Sequence, residues 1–398
     1  MLLIAAPGQG AQAPGFLAPW LELPGFADRL EAWSQITGCD LVRYGTTAGA
    51  DEIKDTAIAQ PLLVAAGLAA AEVLSGGLGQ ASKLAGATAG HSVGELAAGV
   101  IAGALTAEDA LRLVTVRGQA MARAAAAEPT GMTAVLGGDE AEVLAAIEAH
   151  GLTPANVNGA GQVVAAGTLP QLDSFAADPP AGARLVPLSV AGAFHTAHMA
   201  PAVEALREAA VTVTVTDPVL ALLSDRDGSV VRTGADWLER IITQVSAPVR
   251  WDLCMKTMAS LGTTALIELP PAGTLTGLAR RGLPGIHLVS LKTPAQLDAA
   301  RALIAEHADS HADSHAPEWR LLVAPLAGTF RASADRSGTT GPGATVSSGA
   351  ELGQVEMRGG SQQITLSFPA TVIEWLVEDG DPVSAGQPLV RLQPDGSE

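Results

Sequence analysis

The chain has 398 residues and a formal net charge of −18, and 48% of its residues are hydrophobic while only 3% are aromatic. Such a length accommodates two or three domains, and the acidic balance argues against a nucleic-acid partner, because phosphate binding needs basic surfaces. The two cysteines, Cys39 and Cys254, are too few for a disulfide framework and indicate a reducing, cytoplasmic setting. The sequence predicts no signal peptide, and it contains no apolar stretch of about 20 residues that would predict a membrane span.

The first three hundred residues alternate short apolar runs with alanine-rich helical stretches. Residues 2–6 form an apolar run that ends in "PGQGAQ", and residues 60–74 are typical of a buried helix. Residues 85–89 predict a strand that enters "GHSVGE", and residues 95–102 predict the helix that leaves it. This alternation favours an α/β core with a mainly parallel sheet.

The stretch "GHSVGE" places Ser92 in a G-x-S-x-G pattern at the predicted strand-to-helix turn, and this pattern occurs once in the chain. The glycines permit the sharp bend that exposes a serine hydroxyl, and the next helix begins with free amides that suit a developing oxyanion. Ser92 is therefore a candidate nucleophile, which would need a histidine base. The competing interpretation is an ordinary small residue in a chain rich in glycine and alanine.

Residues from about 130 to 190 predict a separate subdomain. Two strand–helix–strand units follow one another, with helices near 139–150 and 168–177. Their βαββαβ order is typical of a ferredoxin-like fold. After this insertion we expect the chain to return to the large core.

Several histidines could act as the base. His195 lies in "GAFHTAH" at the end of an apparent strand, and His198 competes with it one turn later. His91 adjoins Ser92, but successive side chains at a sharp turn point apart, and His150 and His287 lie in no accompanying pattern. The chemistry favours His195 slightly over a purely structural histidine.

Residues 307–318 predict a flexible linker. They contain the tandem "ADSHADSH", which is polar and has no apolar periodicity. The three histidines His307, His311 and His315 could bind a metal, but we expect a solvated linker and no metal site.

Residues 319–398 have the valine, threonine and glycine content of a β domain. The segments "GATVSSGAEL" and "GDPVSAGQPL" share G-x-x-V-S-x-G-x-x-L, and they begin 37 residues apart, at 343 and 380. The repeat predicts two similar strand–turn–strand halves related by a pseudo-twofold axis.

Residues 1–306 resemble the malonyl-CoA:acyl-carrier-protein transacylases, the acyltransferase family of fatty acid and polyketide synthesis, in their actinobacterial type. The matching segments follow the family's order: "PGQGAQ", "AQPLLVAA", "GHSVGE", "RGQAM", "NGAGQVVAAG", "GAFHTAHMAPA", "QVSAPVRW" and "ELPPAGTLTGLARR". The resemblance implies an α/β-hydrolase-like core with an inserted ferredoxin-like subdomain. It also implies malonyl transfer from coenzyme A to the phosphopantetheine thiol of an acyl carrier protein, without a cofactor, so that malonyl-CoA and the carrier are the expected partners.

The resemblance further implies roles for the catalytic residues. Ser92 would form the malonyl ester, and His195 would accept and return its proton. The backbone amides of Gln9 and Val93 would form the oxyanion hole. Gln244 would supply the backbone carbonyl that orients the histidine, where hydrolases use an aspartate.

Arg117, in "VTVRGQAM", matches the family's substrate arginine. Its guanidinium fork suits the free carboxylate of a malonyl group, whereas an arginine in an alanine-rich helix is ordinarily a surface residue. Gln60, Met121 and His91 are expected to line the same site. Phe194 would fill the pocket and favour malonyl over methylmalonyl groups, unless it is only a core residue.

Residues 319–394 resemble a biotin carboxyl carrier domain, a flattened β-barrel of the biotinyl/lipoyl type. "VAPLAGTFRAS" and "VIEWLVEDGDPVSAGQPLVRLQP" carry this resemblance. Gly359 stands at the position of the modified lysine, next to Arg358, and no lysine follows Lys292. We therefore expect a barrel that carries neither biotin nor lipoate. It could dock the carrier protein, an acyl-CoA carboxylase or synthase component, or its own acyltransferase domain, or it could be a passive remnant.

Two other classes of function remain open. A serine hydrolase or thioesterase would use the same serine and histidine, although it has no use for Arg117, and no third acid is obvious in the sequence. A non-catalytic carrier or docking subunit of a carboxylase assembly is suggested by the C-terminal region alone.

Overall fold

The computed structural model describes residues 1–313, 320–333, 340–357 and 359–394. The chain divides into two compact units, Met1–His311 and Ala312–Glu398. Each unit has its own hydrophobic clusters.

The first unit alternates strands and helices along the chain. Its strands are β1 Leu2–Ala6, β2 Ala87–Gly90, β3 Thr130–Gly137, β4 Thr153–Gly159, β5 Gln162–Thr168, β6 Ala183–Pro187, β7 Ala221–Leu223, β8 Val230–Val231, β9 Ala265–Glu268 and β10 His287–Ser290. Its helices are α1 Phe26–Thr37, α2 Leu41–Thr46, α3 Ala50–Ile53, α4 Thr56–Ser75, α5 Gly94–Ile101, α6 Ala107–Ala127, α7 Glu140–Ala149, α8 Leu169–Ala177, α9 Ala200–Ala210, α10 Gly234–Gln244, α11 Trp251–Ser260, α12 Thr274–Gly282 and α13 Leu297–Asp313.

The large core is built on a six-stranded sheet in the order β10-β9-β1-β2-β7-β8. All pairs are parallel except β7 with β8, which confirms the predicted α/β core with a mainly parallel sheet. Strand β1 is buried on both faces: Leu2 and Ile4 pack with one helical layer, and Leu3 and Ala5 pack with the other. This two-sided burial explains why the strands read as short, continuous apolar runs.

Helix α4 packs into this core. Asp55 accepts a hydrogen bond from the Ala57 amide at its N-terminus, and the helix then runs for 20 residues. By length and hydropathy it could cross a membrane, whereas the sequence predicted no span because it has no uninterrupted apolar stretch of about 20 residues. In the fold, 78% of the most apolar stretch of this helix is buried, as in the core helix of a globular protein.

The inserted subdomain carries a four-stranded antiparallel sheet in the order β4-β5-β3-β6. With α7 and α8 this is the βαββαβ arrangement of a ferredoxin-like fold. Its small core includes Val135, Ile147, Val163 and Phe175.

Helix α13 extends through Asp313, so the prediction that the linker begins at residue 307 is wrong. The alanine-rich pattern that precedes the tandem supports helix beyond 306, because alanine has the highest helix propensity. His307 is 8% exposed, with Nδ1 2.9 Å from the Leu303 carbonyl oxygen and Nε2 3.0 Å from Thr264 Oγ1. Residues 314–318 lie outside the described residues, as do the side chains of His311 and His315. Among the residues described, no group of three metal-ligating side chains occurs.

The second unit is β-rich. Its strands are β11 Arg320–Val323, β12 Gly328–Ala332, β13 Thr345–Val346, β14 Glu351–Met357, β15 Gly360–Thr365, β16 Ala370–Trp375, β17 Pro382–Val383 and β18 Pro388–Pro394. They form two four-stranded sheets, β11-β18-β16-β13 and β15-β14-β12-β17. The two repeated segments contribute β13 to one sheet and β17 to the other, and their valines, Val346 and Val383, are both buried.

Strands β14 and β15 form an antiparallel pair in which Met357 pairs with Gly360. Arg358 lies outside the described residues. Gly359 has a φ of +111° and open space around the position of a Cβ.

Candidate active site

Ser92 lies at the sharp turn between β2 and α5, with a backbone φ of +54° that non-glycine residues rarely adopt. A Cβ on Gly90 would lie 2.0 Å from the Gly94 carbonyl carbon, and one on Gly94 would lie 2.2 Å from the Ala6 carbonyl oxygen. The two glycines of the pattern are therefore required by contact between backbones, and they hold the serine at the carboxyl edge of the sheet.

His195 faces the serine from the other side of the cavity. Its Nε2 lies 2.7 Å from Ser92 Oγ, and its Nδ1 lies 2.9 Å from the carbonyl oxygen of Gln244. Because that carbonyl can only accept, Nδ1 carries the proton and Nε2 is free to take the serine proton. Burial, aided by the Arg117 charge, lowers the pKa of His195 to about 3, so the imidazole is neutral at physiological pH.

Arg117 projects from α6 into the same site and is almost completely buried. Its guanidinium donates hydrogen bonds of 2.6 Å to Gln60 Oε1, 2.7 Å to Gln244 Oε1 and 3.2 Å to Ser92 Oγ. Burial lowers its pKa to about 10, although the nearby carboxylates Asp225 and Glu95 oppose that shift. At neutral pH the site therefore holds a guanidinium cation beside a serine hydroxyl.

These groups open into a cavity of about 420 Å³. The walls include every site residue predicted from the sequence except Gln244, which lies beneath: Gln9, Gln60, His91, Ser92, Val93, Arg117, Met121, Phe194 and His195. Gln60 Nε2 lies 3.3 Å from Met121 Sδ, and Met121 follows Arg117 by one helical turn. A larger cavity, of about 630 Å³, lies between α8 and strands β3 and β6, away from the serine.

The backbone amides of Gln9 and Val93 lie at the turns that border the serine. Among the described residues neither amide donates to a protein acceptor. The Gln9 side chain is turned to Thr56 Oγ1, at 3.1 Å. The amide of Ser92 itself is engaged by Asp225 Oδ2 at 2.6 Å, so it is not available to an oxyanion.

Two buried acids that were not predicted from the sequence, Glu95 and Asp225, lie beneath the turn. Neither carboxylate contacts His195 among the described hydrogen bonds, so neither acts as the third acid of a hydrolase triad. Glu95 belongs to "GHSVGE" and could have been noticed. Asp225 could have been found only from the sheet order, which places the end of β7 beside the end of β2.

His91 also has partners that the sequence did not reveal. Its Nε2 lies 2.9 Å from Asn158 Oδ1, and its ring packs at 5.7 Å against Trp251. The contact with Asn158, in β4, joins the turn that carries Ser92 to the ferredoxin-like subdomain.

Comparison with known proteins agrees with this architecture. The family described as "Acyl transferase domain" matches residues 6–312, and the chain belongs to that family. A malonyl CoA-acyl carrier protein transacylase of Mycobacterium tuberculosis is 52% identical over 301 residues, which cover 75% of this chain and 98% of the relative. The protein of the same description from Escherichia coli K12 is 33% identical over 304 residues, 75% of this chain and 97% of the relative.

Solved structures show the same relationship. The crystal structure of MCAT from Mycobacterium tuberculosis has a TM-score of 0.72 and 51% identity, covering 75% of this chain and 99% of that one. A malonyl-transacylase described in complex with a type II PKS acyl-carrier protein has a TM-score of 0.70 and 28% identity, covering 76% and 99%. The resemblance of residues 1–306 to the malonyl-CoA:acyl-carrier-protein transacylases is thereby confirmed.

Proposed function

We propose that the chain transfers a malonyl group from coenzyme A to the phosphopantetheine thiol of an acyl carrier protein, through an ester on Ser92. The observation that carries this proposal is the contact of Ser92 Oγ with both His195 Nε2 and the Arg117 guanidinium. A nucleophile with its base and a buried cation within one cavity suits an acyl group that ends in a carboxylate. The family membership and the relatives named above support the same reaction.

In the first half-reaction, Ser92 attacks the thioester carbonyl as its proton passes to His195 Nε2. The carbonyl oxygen becomes an oxyanion, which the free amides of Gln9 and Val93 stabilise. The C–S bond then breaks, and the sulfur of coenzyme A leaves with the proton from His195. The second half-reaction runs these steps in reverse, with the carrier thiol as the attacking group.

Arg117 binds the malonyl carboxylate through its guanidinium fork. Gln60 and Gln244 hold that fork by accepting from its two terminal nitrogens. Phe194 and Met121 line the cavity wall and limit the room for a branched acyl group. The binding arginine thus selects for charge, and the wall selects for size.

A serine hydrolase shares the serine and histidine, but Arg117 favours transfer of an anionic acyl group over hydrolysis of neutral esters. Arg117 has only 1% of its surface exposed, so its guanidinium has lost the hydration that it would have in water. A carboxylate bound in the site compensates for that loss by pairing with the guanidinium. Neutral esters supply no such group.

The experiment that tests the proposal is intact-mass measurement after incubation with malonyl-CoA. The chain should gain one malonyl group, and the adduct should disappear when phosphopantetheinylated carrier protein is added. Ser92→Ala should gain none, while Ser189→Ala, an exposed serine on the same cavity, should load normally. Normal transfer by Ser92→Ala would refute the assignment.

For the second unit we propose a biotinyl-like barrel that carries no prosthetic group and serves as a docking module. Two four-stranded sheets with one repeat in each support the fold. Gly359, at the hairpin turn, has no side chain that could be acylated. Because residues 312–398 contain eleven acidic and five basic residues, we favour a carboxylase or synthase component as the partner over the carrier protein, which is itself acidic.

A further inference from the structure

Glu95 and Asp225 are buried carboxyl groups that the transfer mechanism does not use. Glu95 is the second residue of α5 and is 1% exposed, and Asp225 follows β7 and is 0% exposed. The Asp225 amide donates to Glu95 Oε1 at 3.0 Å. No lysine or arginine forms a salt bridge with either carboxylate within the described part of the chain.

The pair has three contacts with Ser92 and Gln244. Asp225 accepts from the Ser92 amide at 2.6 Å and lies 2.9 Å from Gln244 Nε2. Gln244 Nε2 is also within hydrogen-bonding distance of Glu95 Oε2 and, at 3.2 Å, of the Ser92 carbonyl oxygen. Because this nitrogen carries two hydrogens, it can donate fully to two of the three oxygens at a time.

Gln244 in turn holds the other two functional groups. Its backbone carbonyl orients the His195 ring, and its Oε1 accepts from Arg117. One side chain thus connects the base and the carboxylate-binding arginine to the acids below, and it depends on those acids for its own orientation.

Two adjacent buried carboxylates cannot both ionise at modest cost. Burial and the neighbouring Asp225 raise the pKa of Glu95 well above its ordinary value. A protonated Glu95 lowers the cost of burying the two acids side by side.

We propose that Glu95 and Asp225 form a buried acid pair that shares one proton, and that this pair positions the reacting groups through Gln244. In this pair Glu95 carries the proton. Both are positioning residues, because neither reaches the cavity. The proposal rests on the proposed acyl transfer at Ser92 only for its readout.

The test compares Glu95→Gln with Asp225→Asn in single-turnover loading of Ser92, measured by intact mass with malonyl-CoA and with acetyl-CoA. A protonated Glu95 keeps one carbonyl oxygen, Oε1, to accept from the Asp225 amide, and glutamine retains that acceptor, so Glu95→Gln should load within about threefold of the unmodified chain. Asparagine can accept from only one of the two donors that face Asp225, so Asp225→Asn should load both acyl groups on the order of 10–100-fold more slowly. Glu108→Gln, at an exposed position on α6, is the matched control.

The double variant decides whether a proton is shared. In Asp225→Asn the remaining Glu95 still has a carboxyl group beside Gln244, whereas the double variant has none. Glu95→Gln should therefore be harmless alone and should slow loading at least a further fivefold in the Asp225→Asn background. An additive result would overturn the proposal.

Two other outcomes also overturn it: loss in Glu95→Gln as severe as in Asp225→Asn, or full activity of Asp225→Asn. If Asp225→Asn does not fold, Glu95→Gln decides alone, since loss of loading would mean that Glu95 acts as an anion. If the unmodified chain gained no acyl group at all, the proposed function would fail instead, and the two failures are thus distinct.

Discussion

In the proposed function, Arg117 selects the acyl group that the cavity accepts. Among the described residues, it is the only positively charged side chain that both lines the cavity and contacts Ser92. A guanidinium removed from water gains most from a carboxylate that pairs with both of its terminal nitrogens. The neutral His195 adds no positive charge beside it, because its pKa is far below the physiological range. Charge recognition and nucleophilic attack are therefore assigned to different side chains.

This separation gives a prediction for Arg117→Ala. Malonyl loading of Ser92 should fall by about 100-fold or more, since truncating one partner of a buried charged pair costs about 2–5 kcal/mol. Acetyl loading should fall much less, because an acetyl group has no carboxylate to pair. The measurement is the ratio of single-turnover rates with the two thioesters, and Arg123→Ala, at an exposed position on the same helix, is the control. Equal losses for both acyl groups would show that Arg117 only supports the fold.

At the scale of elements, the turn between β2 and α5 depends on the close approach of three backbone segments. The His91 amide donates to the Ala6 carbonyl oxygen at 3.0 Å, which joins the turn to the end of β1. Gly94 begins α5 directly against the same carbonyl, so helix, turn and neighbouring strand leave no room for a side chain. The strained φ of Ser92 persists because these contacts fix both sides of it.

Gly94→Ala should therefore displace α5 and the serine together. We expect the free energy of unfolding to fall by about 1–3 kcal/mol or more, because the new Cβ meets a carbonyl oxygen that cannot move freely. Loading of Ser92 should fall at least tenfold. Gly277→Ala in α12 is the control: its Cβ would meet nothing within 4 Å, and it should stabilise the protein by about 0.4–1 kcal/mol. Thermal unfolding and intact mass measure both effects, and a stable, fully active Gly94→Ala would contradict this account of the turn.

The sequence predicted elements well where a local pattern determines the structure. The strand entering "GHSVGE", the helix leaving it and the βαββαβ insertion follow from periodicity and glycine spacing. The linker failed at its start because polar residues are also tolerated in a helix that alanine supports, as α13 shows. Asp225 was missed because its neighbours, Ser92 and Gln244, are distant in sequence and meet only through the order of the sheet.

At the scale of the whole molecule, the chemistry is confined to one of the two units. Every residue that lines the 420 Å³ cavity lies between Gly8 and Leu278. The clusters of the second unit contain only residues beyond 320, which indicates that each unit is stabilised by its own core. A chain built in this way can lose one unit without losing the other's fold.

Truncation after Asp313, where α13 ends, should therefore leave loading of Ser92 by malonyl-CoA within about twofold of the full chain, because no core residue of the first unit is removed. Ending at 306 instead would also remove His307, which is buried and within hydrogen-bonding distance of Thr264, so that shorter form should unfold at a lower temperature.

The full chain, co-expressed with a biotin ligase, should give no avidin signal and no mass increase, since Gly359 has no amine. If the second unit docks a carboxylase or synthase component, that component should be retained by the full chain and not by the 1–313 form. Equal retention by the full chain and the 1–313 form would refute the docking role. A biotin adduct would refute the proposal that the second unit is unmodified. Loss of Ser92 loading on truncation would show that the first unit depends on the second.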